Sequence, residues 1–425
     1  MNNAIKERIL AAVDARSLEM IAFLTDIVRI PSVTGSEAGV QSHIAEVMTT
    51  LGLTVDVWEP DVDEMAPYAL HIGKIDSFQD RPNVVGVHKG SGRGRSLILN
   101  AHIDVVDAGD PERWSHPPYA AETVDGLLYG RGSCDMKSGL ASNLFALIAV
   151  LDAGIELGGD VIVESVISEE DGGAGTLAAI LRGYRADAAI ITEPTALSVI
   201  TAHCGSLVFR LHVPGRSAHG AVRDKGVSAI EKFSYLHRVL LDFEAQRNAE
   251  IDHPMFAGIQ NKIPISIGVV RAGEWASSVP ESLIAEGRAG LVPGETIEGF
   301  CKAFVEVVDA AADADPWLRE NRPTVEWFGG QFEPAEVAID SEIACLTFDA
   351  HQMASGNTTR FAAATYGADM RHFVNFAGIP CVMYGAGDVR LAHYTDENVP
   401  LHETIAVAKT LALAIANWCG VGLNE

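Results

Sequence analysis

Basic residues, paired cysteines and long apolar runs are all scarce in this sequence. Its 31 Lys and Arg are outnumbered by 57 Asp and Glu, for a net charge of −26 at pH 7. This balance argues against nucleic acid and anionic lipid as partners, because both require a basic patch. The six cysteines form no C-x-x-C pair, which favours a reducing compartment over secretion. No run reaches the roughly 18 to 20 apolar residues of a membrane span and no signal-peptide pattern is present, so we expect a cytoplasmic protein.

The composition is that of a globular protein with room for two domains. The chain has 425 residues, of which 48% are hydrophobic, and this length exceeds what one core usually serves. Strand-like and helix-like segments alternate up to about residue 195, which is typical of a doubly wound α/β sheet. The order then changes to strand, helix, two strands, helix and strand, which predicts a two-layer α+β domain of the split βαβ, ferredoxin-like type.

We therefore predict an α/β catalytic domain over residues 1–205 and 329–425, interrupted by an inserted domain over 206–328. Residues 91–95, which are rich in Gly and lie between two apolar strands, are interpreted as a hairpin turn rather than a phosphate site. The segments behind the domain prediction are helices at 138–151, 175–182, 226–241, 298–313 and 403–418, and strands at 207–213, 263–270, 282–291, 325–328 and 379–384.

Polar clusters directly follow three of the apolar, strand-like runs. The carboxyl ends of parallel strands meet at one edge of a sheet, so side chains placed there converge although they are distant in sequence. Imidazole and carboxylate groups are ligands for divalent zinc, and a paired site needs one bridging carboxylate and two terminal ligands for each ion. The sequence offers five suitable residues at strand ends or in adjoining loops: His102, Asp135, Glu170, Glu193 and His393.

Two further carboxylates have predicted roles beside these ligands. Asp104 is spaced to accept a hydrogen bond from the far nitrogen of the His102 ring and so to orient it; the alternative is a loop cap or a surface acid. Glu169 and Glu170 are adjacent and cannot both bind one ion without strain. We assign Glu170 to the metal and Glu169 to the general base that takes a proton from the attacking water; the alternative is a solvated acidic turn.

Longer motifs around these residues resemble those of one metallopeptidase family. The motifs are His102-x-Asp104, Gly130-Arg131-Gly132-x-x-Asp135-Met136-Lys137, Ser168-Glu169-Glu170-Asp171-Gly172-Gly173, Thr192-Glu193-Pro194-Thr195, Gly215-Arg216-Ser217-Ala218-His219-Gly220, and His393 followed by Asp396-Glu397. The family is the one that includes acetylornithine deacetylase, succinyl-diaminopimelate desuccinylase, aminoacylase and glutamate carboxypeptidase. The motifs occur in the family's order, from about residue 97 to 400.

The resemblance implies a zinc-exopeptidase-like catalytic domain and an inserted lid that mediates homodimerisation. It also implies a division of the five ligands: one ion held by His102 and Glu193, the other by Glu170 and His393, and a bridge formed by Asp135. A non-proline cis peptide bond is expected after the bridging residue. Zinc is favoured as the pair of divalent ions, with cobalt and manganese as alternatives because they accept the same ligands.

Within the lid, the resemblance implies that His219 reaches the substrate, commonly across a dimer, and polarises the scissile carbonyl. Two positions depart from the family pattern. Ser277 stands where an Asn is usual, and Gly290 stands where an Arg grips the substrate carboxylate. Arg288 lies two residues before Gly290 on the same face of a strand, so it is a candidate for a relocated clamp. The alternative is an arginine paired locally with Glu286.

Amide hydrolysis is the predicted reaction, with removal of an N-acyl group from an amino acid or related small metabolite as the first choice. By the same resemblance Arg371 contributes to the substrate pocket, with a structural role as the alternative. A metallo-carboxypeptidase or dipeptidase with a dipeptide-like substrate is the second hypothesis. The third is a catalytically inactive relative that binds a metabolite, and the presence of all five ligand types and of Glu169 argues against it.

Overall fold

The computed structural model describes residues 1–420, and within them the chain forms ten α-helices and sixteen β-strands. The helices are α1 (Asn3–Arg29), α2 (Ala38–Thr50), α3 (Val62–Met65), α4 (Ala69–Ile72), α5 (Ser138–Asp152), α6 (Ala174–Arg182), α7 (Ala229–Glu250), α8 (Ile297–Ala314), α9 (Glu342–Ser355) and α10 (Leu401–Cys419). The strands are β1 (Thr54–Trp58), β2 (Asn83–His88), β3 (Leu97–His102), β4 (Glu122–Val124), β5 (Leu127–Tyr129), β6 (Val161–Val166), β7 (Ala188–Ile191), β8 (Val199–His203), β9 (Gly205–Pro214), β10 (Ile265–Ala272), β11 (Ser282–Leu291), β12 (Thr324–Trp327), β13 (Ala335–Glu336), β14 (Phe361–Ala364), β15 (Cys381–Met383) and β16 (Asn398–Pro400).

Nine of the strands form a mixed sheet in the order β1-β2-β6-β3-β7-β15-β8-β13, with β14 paired to β8. The central strands β6, β3, β7 and β15 are parallel to their neighbours in this group, as the α/β pattern predicts. On either side, β2 pairs antiparallel with β6, and β15 meets β8 antiparallel. The parallel centre brings the carboxyl ends of β3, β6 and β7 to one edge.

The apolar runs of the sequence form the core of this sheet. Every residue of β3, β6 and β7 is buried, as expected for parallel strands covered by helices. Helices α1, α5 and α10 pack against one another, and α5 also contacts β3 and β6. Residues 138–150 of α5 are all buried, which explains why this helix is apolar around its whole circumference.

The connection between β2 and β3 corrects the hairpin interpretation of residues 91–95. The two strands do not pair with each other, because β6 lies between them and hydrogen-bonds to both. Residues 91–95 instead pack along the segment before β6, where Ser91 N and Arg93 N donate to the carbonyls of Leu157 and Gly158 at 2.9 Å. A Gly-rich turn between two apolar runs predicts two consecutive strands. It does not predict that these strands are hydrogen-bonded to each other.

A second, four-stranded antiparallel sheet has the order β10-β11-β9-β12 and its own core. Alternate residues of β11, such as Leu283 and Ala285, belong to the core shared with α7 and α8, so the intervening side chains, among them Arg288, lie on the opposite face of this sheet. We call the unit formed by β9–β12, α7 and α8 the lid. Its first and last strands along the chain, β9 and β12, begin at Gly205 and end at Trp327, close to the predicted boundaries at 206 and 328, which stay a prediction.

One helical stretch in residues 1–420, Ser133–Asp152, is long and apolar enough to cross a membrane by length and composition alone. In the fold, 89% of its most apolar window is buried inside the protein. A helix at the centre of a large core passes the same test of length and composition as a membrane span.

A network of buried polar side chains crosses the large sheet. The Asn100 amide donates to Glu164 Oε2 at 2.9 Å and to Thr176 Oγ1 at 3.1 Å, and Thr176 donates to Asp369 Oδ2 at 2.6 Å. All four side chains are at most 1% exposed. Burial raises the pKa of Glu164 to about 8, against the hydrogen bond from Asn100 and together with the nearby charge of Asp369. Glu164 is therefore protonated in the folded protein at neutral pH.

Replacing Glu164 by glutamine should stabilise the fold increasingly as the pH rises. The folded carboxyl keeps its proton up to about pH 8, whereas the unfolded one ionises near its ordinary pKa of 4.5, so the wild type loses stability between these values. The amide has the shape of the protonated acid and does not ionise, so the difference should grow from near zero to a few kcal/mol. Denaturant unfolding of both metal-free proteins across this range measures it. A difference independent of pH would contradict the prediction.

Candidate metal centre

Two groups of possible metal ligands lie side by side and share one carboxylate. His102, Asp135 and Glu193 form the first group, and Asp135, Glu170 and His393 form the second; within each group the ligand atoms lie within 4.8 Å of one another. The two oxygens of Asp135 face different groups: Oδ1 lies 3.0 Å from His102 Nε2, and Oδ2 lies 3.5 Å from His393 Nε2. The sequence-predicted ligands are therefore brought together, with Asp135 in the position of a bridge.

The fold explains how residues so distant in sequence meet. His102 is the last residue of β3, Glu170 follows the end of β6, and Glu193 follows the end of β7, so all three come from the carboxyl edge of the parallel strands. Gly385 lets the loop after β15 pass over this edge, because a side chain there would meet the carbonyl oxygens of Thr192 and Glu193 at 2.5 Å or less. That loop continues to His393, which has a φ of 59°.

The electrostatics of the two groups fit divalent cations. Burial, followed by the charge of Asp135, raises the pKa of Glu193 well above its usual range. For His102 burial lowers the pKa, but the hydrogen bond to Asp135 and the charge of Glu193 outweigh it and raise the pKa well above its usual value. Buried carboxylates repel one another, which raises their own pKa values, and their charge raises that of a neighbouring imidazole. Cations that bind between the carboxylates relieve this repulsion. The donor set of imidazole nitrogens and carboxylate oxygens suits zinc and similar ions.

Asp104 holds its neighbours differently from the sequence prediction. His102 Nδ1 is hydrogen-bonded to the backbone carbonyl oxygen of Asp104 at 2.9 Å. The nearest carboxylate oxygen of Asp104 lies 3.7 Å from the same nitrogen. The carboxylate instead accepts hydrogen bonds from the backbone N–H groups of Glu169 and Glu170, at 3.1 and 3.2 Å, and from the Thr34 hydroxyl at 3.0 Å. The prediction that the Asp104 side chain orients the ring is therefore wrong in its choice of atom, and the side chain fixes the Glu169–Glu170 turn.

Glu169 lies beside the two groups but belongs to neither. Its side chain is 8% exposed, which excludes the solvated acidic turn considered for this pair. Burial raises its pKa well above the usual range; His102 opposes the rise and Glu193 adds to it. A buried carboxyl with a raised pKa, next to two sets of metal ligands, is the arrangement that general acid–base catalysis requires.

Arg371 is a structural residue in this conformation rather than part of an open pocket. Its side chain is completely buried, and it donates to Glu333 Oε2 at 2.7 Å and to the Gly172 carbonyl at 2.7 Å. Further bonds run to the carbonyls of Gln331 and His71. The guanidinium thus joins its own segment to three others, which supports the structural alternative, and its contact with substrate stays a prediction.

The remaining predicted residues lie in the lid and outside the two ligand groups. His219 and Ser277 are exposed, and His219 Nδ1 accepts a hydrogen bond from the Ala221 N–H at 3.1 Å. Arg288 is not bonded to Glu286, which pairs with Arg210 instead; among the described residues, Arg288 Nε and one terminal nitrogen are buried without a partner. At Gly290 a side chain would meet the Ile263 backbone at 2.8 Å, so no arginine fits there without a rearrangement.

Sequence reasoning missed Tyr366, which lines a cavity of about 410 Å³ together with Pro194, the neighbour of Glu193. Burial raises the pKa of its phenol well above the usual value, and the charges of Glu193 and Asp135 add to the rise. The phenol hydroxyl can therefore donate a hydrogen bond near the ligand groups. Tyr366 lies five residues before Arg371 in the sequence, but a single tyrosine has no pattern that assigns it a role.

Comparison with known proteins identifies the family of this chain and several of its relatives. Residues 98–417 match the family model described as peptidase family M20/M25/M40. The chain is 31% identical to N-formyl-4-amino-5-aminomethyl-2-methylpyrimidine deformylase of Bacillus subtilis, over 90% of this chain and 89% of that protein, and 30% identical to the protein of the same name from Halalkalibacterium halodurans, over 98% of each. It is 29% identical to acetylornithine deacetylase of Myxococcus xanthus, over 81% and 86% of the two chains.

Solved structures share the whole fold at low sequence identity. Human carnosine dipeptidase 1 superposes with a TM-score of 0.76 at 16% identity, covering 98% of this chain and 99% of that one. The predicted fold class is thereby confirmed: a central mixed α/β sheet and a separate small antiparallel sheet. The non-proline cis peptide bond that the resemblance implied is present between Asp135 and Met136. The family model covers well over half of the sequence, and the chain belongs to the M20/M25/M40 peptidase family of metallohydrolases.

Proposed function

We propose that this protein hydrolyses the amide of a small N-acylated amine, with a formyl group as the first acyl candidate, by means of two divalent ions. The observation that carries the proposal is the shared Asp135, whose two oxygens face His102 and His393 separately. The sequence prediction left the acyl group open, and a formyl group is favoured because two relatives named as deformylases match at 31% and 30% identity along most of the chain.

Features of the lid favour a substrate whose amine portion carries no carboxylate. The position where the family usually has an arginine clamp is Gly290, and Ile263 closes the space a side chain would need. Small amides that lack a carboxylate do not require such a clamp. An N-acyl amino acid, or a dipeptide with a free carboxylate, is the second candidate, and Arg288 is the observation that favours it, because its unpartnered nitrogens are potential donors to a carboxylate.

The residues of the chain would divide the reaction as follows. Bound divalent ions supply Lewis acidity toward the amide carbonyl and the attacking water. Glu169 accepts the proton of that water and returns it to the departing amine nitrogen, as a buried carboxylate beside the ligand groups can do. Asp104 keeps the Glu169–Glu170 turn in place through two backbone hydrogen bonds. His219, delivered by the lid, would donate to the carbonyl oxygen as negative charge develops.

A panel of substrates tests the nature of the amine. We expect the metal-loaded protein to hydrolyse N-formyl derivatives of uncharged or heteroaromatic amines with a higher kcat/KM than N-acetyl amino acids or dipeptides. Replacement of Arg288 by methionine should then change kcat/KM for formyl amines less than about twofold, because these substrates have no carboxylate for Arg288 to bind. Preference for carboxylate substrates, together with a KM raised at least about tenfold in the variant, would favour the second candidate.

The lid also offers a surface for a homodimer. Strand β10 is an outer strand of the lid sheet, and Val269 and Val270 on it are 37% and 48% exposed. An exposed strand edge with apolar side chains is suited to pairing with a second copy around a two-fold axis. Such pairing would let His219 of one subunit serve the metal centre of the other, as the resemblance implies.

Mixing two inactive variants tests this shared site. His219→Ala and Glu169→Gln should each have little activity alone. After subunit exchange in equal amounts, about half of the dimers contain one intact site, so activity should recover to about a quarter of the wild-type value. Recovery requires that His219 acts across the dimer. A mixture no more active than the sum of its components, with exchange verified by mass spectrometry of tagged subunits, would place His219 in its own subunit's site or outside catalysis.

A further inference from the structure

Glu397 is a buried carboxylate that contacts the backbone of the candidate bridge. The side chain is 0% exposed, and its Oε1 accepts hydrogen bonds from the N–H groups of Cys134 and Asp135 at 2.9 and 3.0 Å. Its Oε2 accepts from the Arg131 guanidinium at 2.6 Å. One carboxylate therefore takes two successive peptide donors, the second of which belongs to the shared ligand.

These contacts satisfy donors that the local backbone leaves without a partner. The chain departs from helical geometry at Asp135, with φ −117° and ψ 95°, and resumes it only before α5. The N–H groups of Cys134 and Asp135 thus cannot bond within a helix, and a buried backbone donor without a partner is costly. A charged acceptor is about twice as strong as a neutral one, so Glu397 restrains where the Asp135 backbone lies.

The same residue belongs to the loop that carries the opposite ligand. His393 lies four residues before Glu397, and the intervening Asp396 accepts from the N–H groups of Ser115 and His116 at 2.7 and 3.2 Å. The Glu397 carbonyl also accepts from the Gly130 N–H at 2.9 Å. The loop that begins at His393 is therefore hydrogen-bonded at several points to the segment that ends at Asp135.

We propose that Glu397 is a positioning residue of the metal centre: it sets the distance between the Asp135 bridge and His393, and hence the affinity of the second ion. The proposal rests on the metal-dependent function proposed above, but not on the identity of the substrate. The sequence motif included Glu397 without assigning it a role. Its carboxylate does not face the ligand groups, so it acts through the backbone of Asp135 and does not touch the reacting atoms.

Glu397→Gln tests the proposal with little change in volume. The amide has one oxygen and one NH₂ group, and whichever way it turns, one donor faces either Arg131 or the two peptide N–H groups. We expect the variant to fold and its weaker metal site to lose about 10- to 100-fold in affinity, as is typical when a group supporting a ligand is removed. Titration calorimetry of the metal-free protein with Zn²⁺, and the visible spectrum with Co²⁺, measure affinity and ligand geometry without any substrate.

Glu295 in the lid provides a matched control. Its carboxylate also accepts from one backbone N–H, that of Val292 at 2.9 Å, and from a buried arginine, Arg247, at 2.7 and 2.8 Å. The Glu295 side chain is 34% exposed, so Glu295→Gln should lower stability by less than Glu397→Gln, and it should leave both metal affinities and the Co²⁺ spectrum unchanged. An unchanged second affinity in Glu397→Gln, or an equal loss in both variants, would overturn the proposal.

A second variant covers the case in which Glu397→Gln does not fold. Glu397→Asp keeps the charge but shortens the side chain, so it cannot reach both peptide donors and Arg131 together. The same loss of second-site affinity is expected, and wild-type affinity in a folded Glu397→Asp protein would overturn the proposal. A wild-type protein that binds two ions but hydrolyses none of the amides tested would refute the proposed substrate and leave this result intact.

Discussion

Replacement of Glu169 by glutamine should lower kcat by about 10²- to 10⁴-fold, the range in which general acid–base catalysis contributes. The amide cannot accept the proton of the attacking water, whereas the ligand groups do not include Glu169, so both ions should remain bound. KM should change little, because the lost interaction belongs to the transition state. Steady-state kinetics on the best substrate of the panel, together with metal analysis of the purified variant, measure these quantities.

The neighbouring Asp171 is the control for this substitution. It lies in the same acidic turn, but its side chain is 43% exposed and it is absent from both ligand groups. Asp171→Asn should therefore keep kcat within a few-fold of the wild-type value. If Glu169→Gln retained wild-type kcat while binding two ions, Glu169 would not be the base and the proposed division of labour within the Glu-Glu pair would fail.

Replacement of Asp135 by asparagine should remove activity and weaken both metal sites together. Asp135 is the one residue that both described ligand groups contain, and a neutral amide is a poor bridge between two cations. The substitution leaves the backbone N–H contact to Glu397 in place, so the fold should survive. In the wild type, each site filled at 100 times its dissociation constant should add about 2.7 kcal/mol to the free energy of unfolding, and the variant should lose most of this gain.

His393→Ala provides the comparison, because His393 belongs to the second group alone. It should retain about one ion per chain, whereas Asp135→Asn should retain less than one, and elemental analysis distinguishes the two. Treatment of the wild type with a chelator should abolish activity, and added zinc, cobalt or manganese should restore it to different extents. Two ions bound with wild-type affinity in Asp135→Asn would mean that Asp135 is not the bridge.

Most of the metal centre was predictable because ligand chemistry and strand ends are both local properties. His102 ends one fully buried apolar strand and Glu193 follows another. Because these strands are parallel, their carboxyl ends lie at the same edge of the sheet. The role of Asp104 was harder to predict. Its side chain and its carbonyl oxygen are both acceptors near the His102 ring, and spacing alone does not distinguish them.

The residues that define the substrate were less predictable than those that define the chemistry. The resemblance singled out Arg371 for the substrate pocket, yet its guanidinium is buried among backbone carbonyls that come from remote segments of the chain. The loss of a clamp at Gly290 was visible in the sequence, but the reason that no side chain fits, the approach of the Ile263 backbone, was not. Contacts between strands remote in sequence decide such questions, and hydrophobic periodicity carries no information about them.

The sequence by itself determined the class of fold, since that depends on local periodicity, and it predicted the inserted lid and the five ligand residues from the order of its segments and from residue chemistry at strand ends and in adjoining loops. Only the tertiary structure decided that the two oxygens of Asp135 face different histidines and that Glu397 holds the Asp135 backbone. Those contacts depend on the packing of a distant loop over the sheet edge, and many loop conformations are compatible with the same pattern of residues.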